Sequence, residues 1–381
     1  MRTKIFQFFI FTFICSGGFG QQSEPLKQIM TDHLKSRGKN PVHSIQIYIS
    51  KGDSVFHDAV GHSDGQSEKA DKNNLFKIAS ITKTMTAIVI LQMQEEGKLN
   101  VNEPIFKHLV DVKYARINDL HYFNGKPYGN SITIRQLLQH RSGIADIFTD
   151  AALKFYLNEF LHKKQEWNPE KLMSRYYKYG LNKESHFSPD SGYFYSDVNY
   201  FLLGVIIEKL SGHTLAQQFR SRIFEPLNMK DTYFEYYEKK QGENSLAHSF
   251  LGRRDVTKTL NTSYDWAGGG VVSTTADLAI LLKSLFGGNL FNNPSSLKSM
   301  TTMIPHTLKS GKISYYGLGM YQYNFNGDIY LGHGGFWGSL IAYCPAKRIT
   351  FCGSINQVKP GFNTYEFIGT LIDKFTSGTE R

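Results

Sequence analysis

The pattern of apolar and polar positions divides the chain into strand-like, helix-like and again strand-like stretches. Leu26, Ile29, Met30, His33 and Leu34 recur at helical spacing, which predicts a helix over 25–35 ended by Gly38. Residues 44–50 (SIQIYIS) alternate with period two, Gly52-Asp53 supplies a turn, and 55–60 read as the return strand. Residues 84–93 (TMTAIVILQM) are apolar on nearly every side, so their helix belongs in an interior, with Gly97 as its C-terminal cap. From 98 to 265 the pattern is mostly helical with long polar connections. Residues 133–140, 151–161 and 198–210 are examples, the last closed by Ser211-Gly212. Gly268-Gly269-Gly270-Val271-Val272-Ser273 then leads into a helix whose Thr274 and Asp277 fit a capping box. From Tyr315 onward short β-like runs punctuated by glycine take over, including a hairpin of 340–344 and 349–353, before a last helix over 365–375. No internal repeat and no low-complexity linker is present. This order predicts one α+β domain. Its sheet part would be residues 21–97 and 266–381, a mostly helical part 98–265 would be inserted in it, and the active site would lie at the junction.

The N-terminus changes the picture of where this domain works. Arg2 and Lys4 precede an apolar run over 5–15, and Gly18 and Gly20 flank Phe19 as a cleavage site requires. Residues 1–20 therefore read as a secretion signal, and the protein is expected to be periplasmic or secreted. The run is too short for an ordinary membrane span, and no later segment is long and apolar enough for one. Cys15 follows Ile14 rather than a small residue, which argues against a lipoprotein anchor. The net charge of +10 is spread among acidic residues rather than clustered, as on a solvated surface, so a nucleic-acid partner is not expected. Beyond the signal only Cys344 and Cys352 remain. In the hairpin register they face about Ile349 and Ile341, so free buried thiols are expected rather than a disulfide. There is no HExxH and no Cys/His ligand spacing, and the histidines are dispersed; neither a metal nor a cofactor is expected.

Candidate chemistry begins at Ser80-Ile81-Thr82-Lys83. A serine hydroxyl is a poor nucleophile at neutral pH and needs an adjacent base or cation. On a helix, positions i and i+3 share a face, which puts the Lys83 amine within reach of Ser80 Oγ. The helix start near Ser80 favours developing negative charge. Ser-x-x-Lys also occurs at 36–39 and 295–298, but both of those copies sit in polar surroundings and read as solvated surface. Only the copy at Ser80 runs into an apolar helix.

Two later segments supply partners: Tyr195-Ser196-Asp197 within FYSDVNYFLLG, and His333-Gly334-Gly335-Phe336 within LGHGGFWGS. Here the chain resembles the serine β-lactamase and penicillin-binding protein superfamily. It is most similar to the class C-like branch, with its D-Ala-D-Ala carboxypeptidases, D-aminopeptidases and esterases. That family reads Ser-x-x-Lys, Tyr-x-Asn and a Lys- or His-x-Gly strand in this order. Residues 137–143 (LLQHRSG), 267–278 (AGGGVVSTTADL) and 316–319 (YGLG) are also similar, so the likeness spans roughly 40–370. It implies an antiparallel sheet flanked by helices, with Ser80 as nucleophile, Lys83 as its activator and Tyr195 as proton relay. Tyr195 would be partly phenolate under neighbouring positive charge. The backbone N–H groups of Ser80 and Phe336 would hold the oxyanion. Asp197, His333 and Gly335 would bind or orient substrate, with Gly334 and Gly335 leaving room for substrate backbone. His140 would be structural.

Two departures bear on the substrate. In the Tyr-first reading of the second motif, Asp197 stands where the family has Asn. An ionised carboxylate can orient Lys83 but cannot donate to a substrate amide carbonyl. His333 stands where true β-lactamases have lysine, and neutral histidine is a weaker anchor for a carboxylate. Asn199 is out of register with the motif. The sequence thus leads to an exported serine hydrolase working through an acyl-enzyme on Ser80. Esters and D-amino-acid peptides or amides fit it better than β-lactams, and the substrate is a small molecule or peptide, with the cell wall as one source. The alternative is a penicillin- or muropeptide-binding acceptor that acylates slowly or does not turn over; Asp197 favours it.

Overall fold

The computed structural model describes residues 20–161 and 166–379 of the 381-residue chain. The expected secretion signal lies outside the described residues except for Gly20. The period-two segments form one eight-stranded antiparallel sheet. Its strands, in order across the sheet, are Ile304–Thr307, Ile313–Tyr316, Tyr321–Phe325, Asp328–Gly334, Ser339–Cys344, Ile349–Ile355, Ser44–Lys51 and Ser54–Gly61. The first hairpin turns at Gly52, which sits at φ +57°, a conformation cheap only for glycine. Strand alternation gives the sheet two apolar faces. Ile45, Ile47, Ile49, Ala342 and Phe351 face the Gly20–Asp32 and Thr364–Thr379 helices. Ile341 and Cys352 face the larger core, on the side where the Thr275–Phe286 helix packs. Cys344 pairs with Ile349 and Cys352 with Ile341, so both thiols are buried and free, as the hairpin register predicts.

The Thr82–Glu95 helix threads the larger core, and its Met85, Ile88, Val89, Ile90 and Leu91 are fully buried. Burying each such side chain is worth about 1.5–3 kcal/mol, so this helix is a rigid mount. Its hydroxyls are tied down as well. Thr84 Oγ1 donates to Gly319 O at 2.7 Å and Thr86 Oγ1 to Ala267 O at 2.8 Å. Gly319, at φ +75°, lies so close that a Cβ there would stand 2.8 Å from Lys83 O. This accounts for the glycine of the 316–319 segment: it lets a loop pass against the helix.

Three details differ from the sequence pattern. The first helix begins at Gly20 rather than Pro25, with Pro25 inside it as its sixth residue, where the ring removes one i→i−4 hydrogen bond. Thr274 caps its helix by accepting from Asp277 N at 3.1 Å, but Asp277 does not reciprocate. Its carboxylate instead accepts from Asp231 N at 3.1 Å and Thr232 Oγ1 at 2.8 Å. Finally, Ser80 lies in a 3-10 turn, Ala79–Ile81, that runs directly into the α-helix. A small sheet of Phe76–Lys77, Val271–Ser273 and Tyr233–Phe234 fastens the approach to that turn, with Ile78 N bonded to Val271 O at 3.0 Å.

Candidate active site

Ala79, immediately before the serine, is buried and adopts φ +45°, a left-handed conformation an L-residue accepts only when its surroundings impose it. The kink presents Ser80 beside the first turn of the buried helix. Lys83, fully buried, reaches three acceptors with its amine: Ser80 Oγ at 3.1 Å, Asp197 Oδ1 at 2.5 Å and Gly268 O at 2.7 Å. Its three N–H donors are thereby matched one to one. The Lys83 amine also lies 5.0 Å from the Tyr195 ring centre and 5.4 Å from that of Tyr200. The Ser80 hydroxyl draws the Tyr195 phenol down, against the stronger effect of burial. The structure thus brings Ser80, Lys83, Tyr195 and Asp197 together. The other two Ser-x-x-Lys copies are exposed at both ends.

Asp197 opens the Asp197–Ser211 helix, and its own N–H donates to Asp146 Oδ1 at 2.7 Å. Asp146 is buried, and burial together with the Asp197 charge raises its carboxyl to about 7. Ser196 points away, bonding Ala145 O at 3.2 Å. Asn199, one turn on, serves the scaffold: its amide meets His140 Nδ1 at 3.1 Å and accepts from Ser142 Oγ at 2.6 Å. Gly143 closes that loop at φ +79°, where a Cβ would strike Phe187 O at 2.1 Å. Fully buried His140 lies against the Tyr195 ring, centroids 4.1 Å apart and 29° from parallel. Burial, and then the Lys83 charge, hold its pKa well down, so it packs as a neutral ring.

The structure corrects three expectations. Tyr195 is not a resting phenolate: burial first, then the Asp197 charge, hold its hydroxyl well above the usual phenol range. His333 is not a free anchor. Burial and the Lys83 charge push it down to about 3, so the ring is neutral. Nδ1 lies 2.7 Å from Gly334 O, which can only accept, so Nδ1 carries the proton. Nε2 is then the acceptor for Tyr316 O–H at 3.1 Å, and both nitrogens are spent inside the protein. Gly335 does not make room for substrate: a Cβ there would stand 2.2 Å from Ile78 O and 2.2 Å from Ser339 Oγ. Its glycine lets the 334–336 segment lie against the loop that carries Ser80. Gly335 N bonds Ser339 O at 2.7 Å and Ser339 Oγ bonds Ile78 O at 2.9 Å, locking the two together. Among the described residues neither Ser80 N–H nor Phe336 N–H has a protein acceptor, which suits both to an oxyanion.

Asp146, the Gly268 carbonyl and Tyr316 were not singled out by sequence reasoning. Gly268 and Tyr316 sit inside similar segments, so those segments were the available signal; Asp146 carried none.

The state of His333 has a measurable consequence. Unfolded, a histidine binds its proton near ~6.5; folded, His333 does so only near about 3. Between these values the unfolded chain holds more protons, so His333 makes stability fall as pH falls. From pH 7 to pH 5 the loss attributable to it is roughly 2 kcal/mol. Denaturant unfolding at the two pH values should show this loss in the wild type and not in His333→Gln; parallel slopes would contradict the buried neutral ring.

A family model described as "Beta-lactamase" matches residues 28–368. The chain is 28% identical over 335 residues to "Penicillin-binding protein 4*" of Bacillus subtilis (strain 168), covering 82% of this chain and 68% of that protein. It is 27% identical over 282 residues to "Protein flp" of Staphylococcus aureus (strain MW2), covering 73% of this chain and 51% of that one. The chain thus spans about half the length of the Staphylococcus aureus relatives it matches. Among solved structures it resembles a D-stereospecific amidohydrolase from Streptomyces sp., with TM-score 0.74, 26% identity, and 90% and 97% of the two chains covered. It shares its fold with the D-amino acid amidase from Ochrobactrum anthropi SV3, solved with L-phenylalanine amide. That match has TM-score 0.76 and 22% identity, and covers 95% and 99% of the chains.

Proposed function

The chain belongs to the Beta-lactamase family of serine hydrolases, and from that membership and the site geometry we propose that it forms an acyl-enzyme on Ser80 with esters, or with peptides and amides of D-amino acids. The observation that carries this reading is the Lys83 amine, 3.1 Å from Ser80 Oγ and 2.5 Å from Asp197 Oδ1. A proton passed from the ammonium to Asp197 leaves a neutral amine, which turns its lone pair to the serine hydroxyl by rotating about the Cε–Nζ bond. Asparagine could not take that proton. Ser80 Oγ attacks the carbonyl carbon as its own proton moves to Lys83. The oxyanion is held by Ser80 N–H and Phe336 N–H. Tyr195, protonated at rest, donates its hydroxyl proton to the departing oxygen or nitrogen and recovers one from Lys83. Water then attacks the acyl ester and surrenders a proton to the same relay, freeing Ser80.

The likeness to the Streptomyces D-stereospecific amidohydrolase supports a D-configured substrate. With His333 tied internally and Asp197 unable to donate, the site lacks two polar anchors of a β-lactam pocket. Export belongs to the same proposal and rests on the charged start and apolar run of residues 1–20.

The test compares wild type with Ser80→Ala on an aryl ester, a D-Ala-D-Ala peptide and a chromogenic cephalosporin. Turnover of the ester or the peptide should exceed that of the cephalosporin. Ser80→Ala should lose on the order of 10⁴-fold or more on any substrate turned over. Equal rates for both proteins on all three would end the hydrolase reading. A second reading, favoured by Asp197, is a penicillin- or muropeptide-binding acceptor; stable labelling by a fluorescent penicillin at Ser80 without turnover would establish it instead.

A further inference from the structure

A cavity of about 500 Å³ opens beside the segment that carries His140. Arg135, Gln136, Gln139 and Arg141 line it, with Asn102 and Asp190 among the residues completing the wall. Its chemistry is rich in donors and short of negative charge. Arg141 is neutralised by Asp190, its Nε 2.6 Å from Asp190 Oδ1. Arg135 is not. Its Nε donates to Asn102 Oδ1 at 2.6 Å and its Nη1 reaches Ser299 Oγ at 3.4 Å, both neutral acceptors. Among the described residues no carboxylate pairs with it, and it is half-buried. Gln136 uses its oxygen to accept from Thr133 N at 2.9 Å, which leaves its NH₂ free. Gln139 is only 7% exposed, yet its carboxamide bonds no described protein group. The half-buried guanidinium thus lines the cavity without a counter-charge and is available to an anionic partner from outside.

We propose that this cavity binds the carboxylate of a small acid that also carries hydroxyl or amide groups, with Arg135 as the anchor. A carboxylate suits the Nη2 side of the guanidinium, which Asn102 on Nε and Ser299 on Nη1 leave unused. The free amides of Gln136 and Gln139 suit the neighbouring polar groups of such a ligand. A sugar acid and an acylated amino acid share this chemistry. Segments that line the cavity also carry rings packed around Tyr195. Ile304 lines it, and His306 on the same strand stacks on Tyr193 at 3.6 Å, while His140, between Gln139 and Arg141, stacks on Tyr195 at 4.1 Å. None of Ser80, Lys83, Tyr195 or Asp197 lines the cavity, so binding there does not depend on turnover at Ser80.

Isothermal titration of wild type and Ser80→Ala with D-glucuronate and with N-acetyl-D-alanine tests this, using methyl β-D-glucoside and inorganic phosphate as comparisons. At least one carboxylate should bind saturably and equally to both proteins, and the uncharged glucoside should not bind. Arg135→Gln should weaken the bound carboxylate by tenfold or more, and Arg135→Lys by less. Binding of glucuronate alone assigns the ligand to sugar acids, and binding of N-acetyl-D-alanine alone to acylated amino acids; either supports the site. Gln139→Leu, which leaves every protein hydrogen bond intact, should also weaken binding several-fold and stands in should Arg135→Gln melt early. The proposal falls if neither carboxylate saturates at millimolar concentration. It falls as well if Arg135→Gln and Gln139→Leu bind like wild type, or if phosphate binds as tightly as the better carboxylate. Because Ser80→Ala retains the site, failure here leaves the hydrolase reading standing, and the reverse also holds.

Discussion

Lys83→Met should lower kcat/KM on the order of 10²–10⁴-fold, the range for loss of a positioned acid–base group, and should destabilise the fold at the same time. The two effects have different origins. Lys83 is fully buried and Asp197 has a side chain only 20% exposed, so methionine leaves a carboxylate facing a dry core with no counter-charge. Removing one partner of a buried pair costs about 3–5 kcal/mol, and the partial exposure of Asp197 argues for the lower end. The double variant Lys83→Met/Asp197→Asn removes the orphaned charge and should recover most of that stability while staying as inactive as Lys83→Met. Unfolding midpoints and steady-state kinetics on the same four proteins, with Asp197→Asn completing the cycle, separate the roles. Full turnover by Lys83→Met would remove it as the base for Ser80. Equal stability of the single and double variants would mean that Asp197 is not held by Lys83.

The second large effect concerns two adjacent glycines that look interchangeable in sequence. Gly335→Ala should lower kcat on the order of 10²–10³-fold, about the loss of one oxyanion donor, whereas Gly334→Ala should stay near wild type. A Cβ at Gly335 meets the Ile78 carbonyl and Ser339 Oγ at 2.2 Å each, so the segment must lift away from the loop carrying Ser80. Phe336 N–H would move with it. A Cβ at Gly334 meets nothing closer than Tyr323 Oη at 3.5 Å, an ordinary contact. KM should change less than kcat for Gly335→Ala, because the lost interaction forms only as charge develops. Comparable kcat for the two variants would show that the packing of 334–336 on the Ile78 loop does not set the oxyanion geometry.

These predictions lean on features that were legible to different degrees. The hairpin registers follow from period-two alternation, which is why the free thiols of Cys344 and Cys352 were readable without coordinates. The proximity of Ser80 and Lys83 was readable because three residues along a helical turn return to the same face, and it survives the change from α to 3-10 geometry at Ser80. Asp146 was not readable: it is 51 residues before Asp197, and only the fold brings its carboxylate to the Asp197 N–H. The protonation of Tyr195 was misjudged for a related reason. Sequence shows which charges a residue could meet, whereas a pKa depends on how much water is excluded around it.

The sequence by itself determined the hairpins over 44–60 and 340–353, the interior helix that starts beyond Ser80, and the nearness of Ser80 to Lys83. Those are set by local periodicity and short-range spacing, which a linear pattern carries in full. Only the tertiary structure decided that Asp197 bonds Lys83 directly, that His333 is spent on Tyr316 and Gly334, and that Gly335 serves the Ile78 loop rather than a substrate. It alone decided that Arg135 lines a cavity whose Asp190 carboxylate is paired with Arg141 instead. Each of these is a matter of which distant groups share one dry volume and of what remains unpaired there. Burial and pairing across the fold set both, and neither leaves a period in the chain.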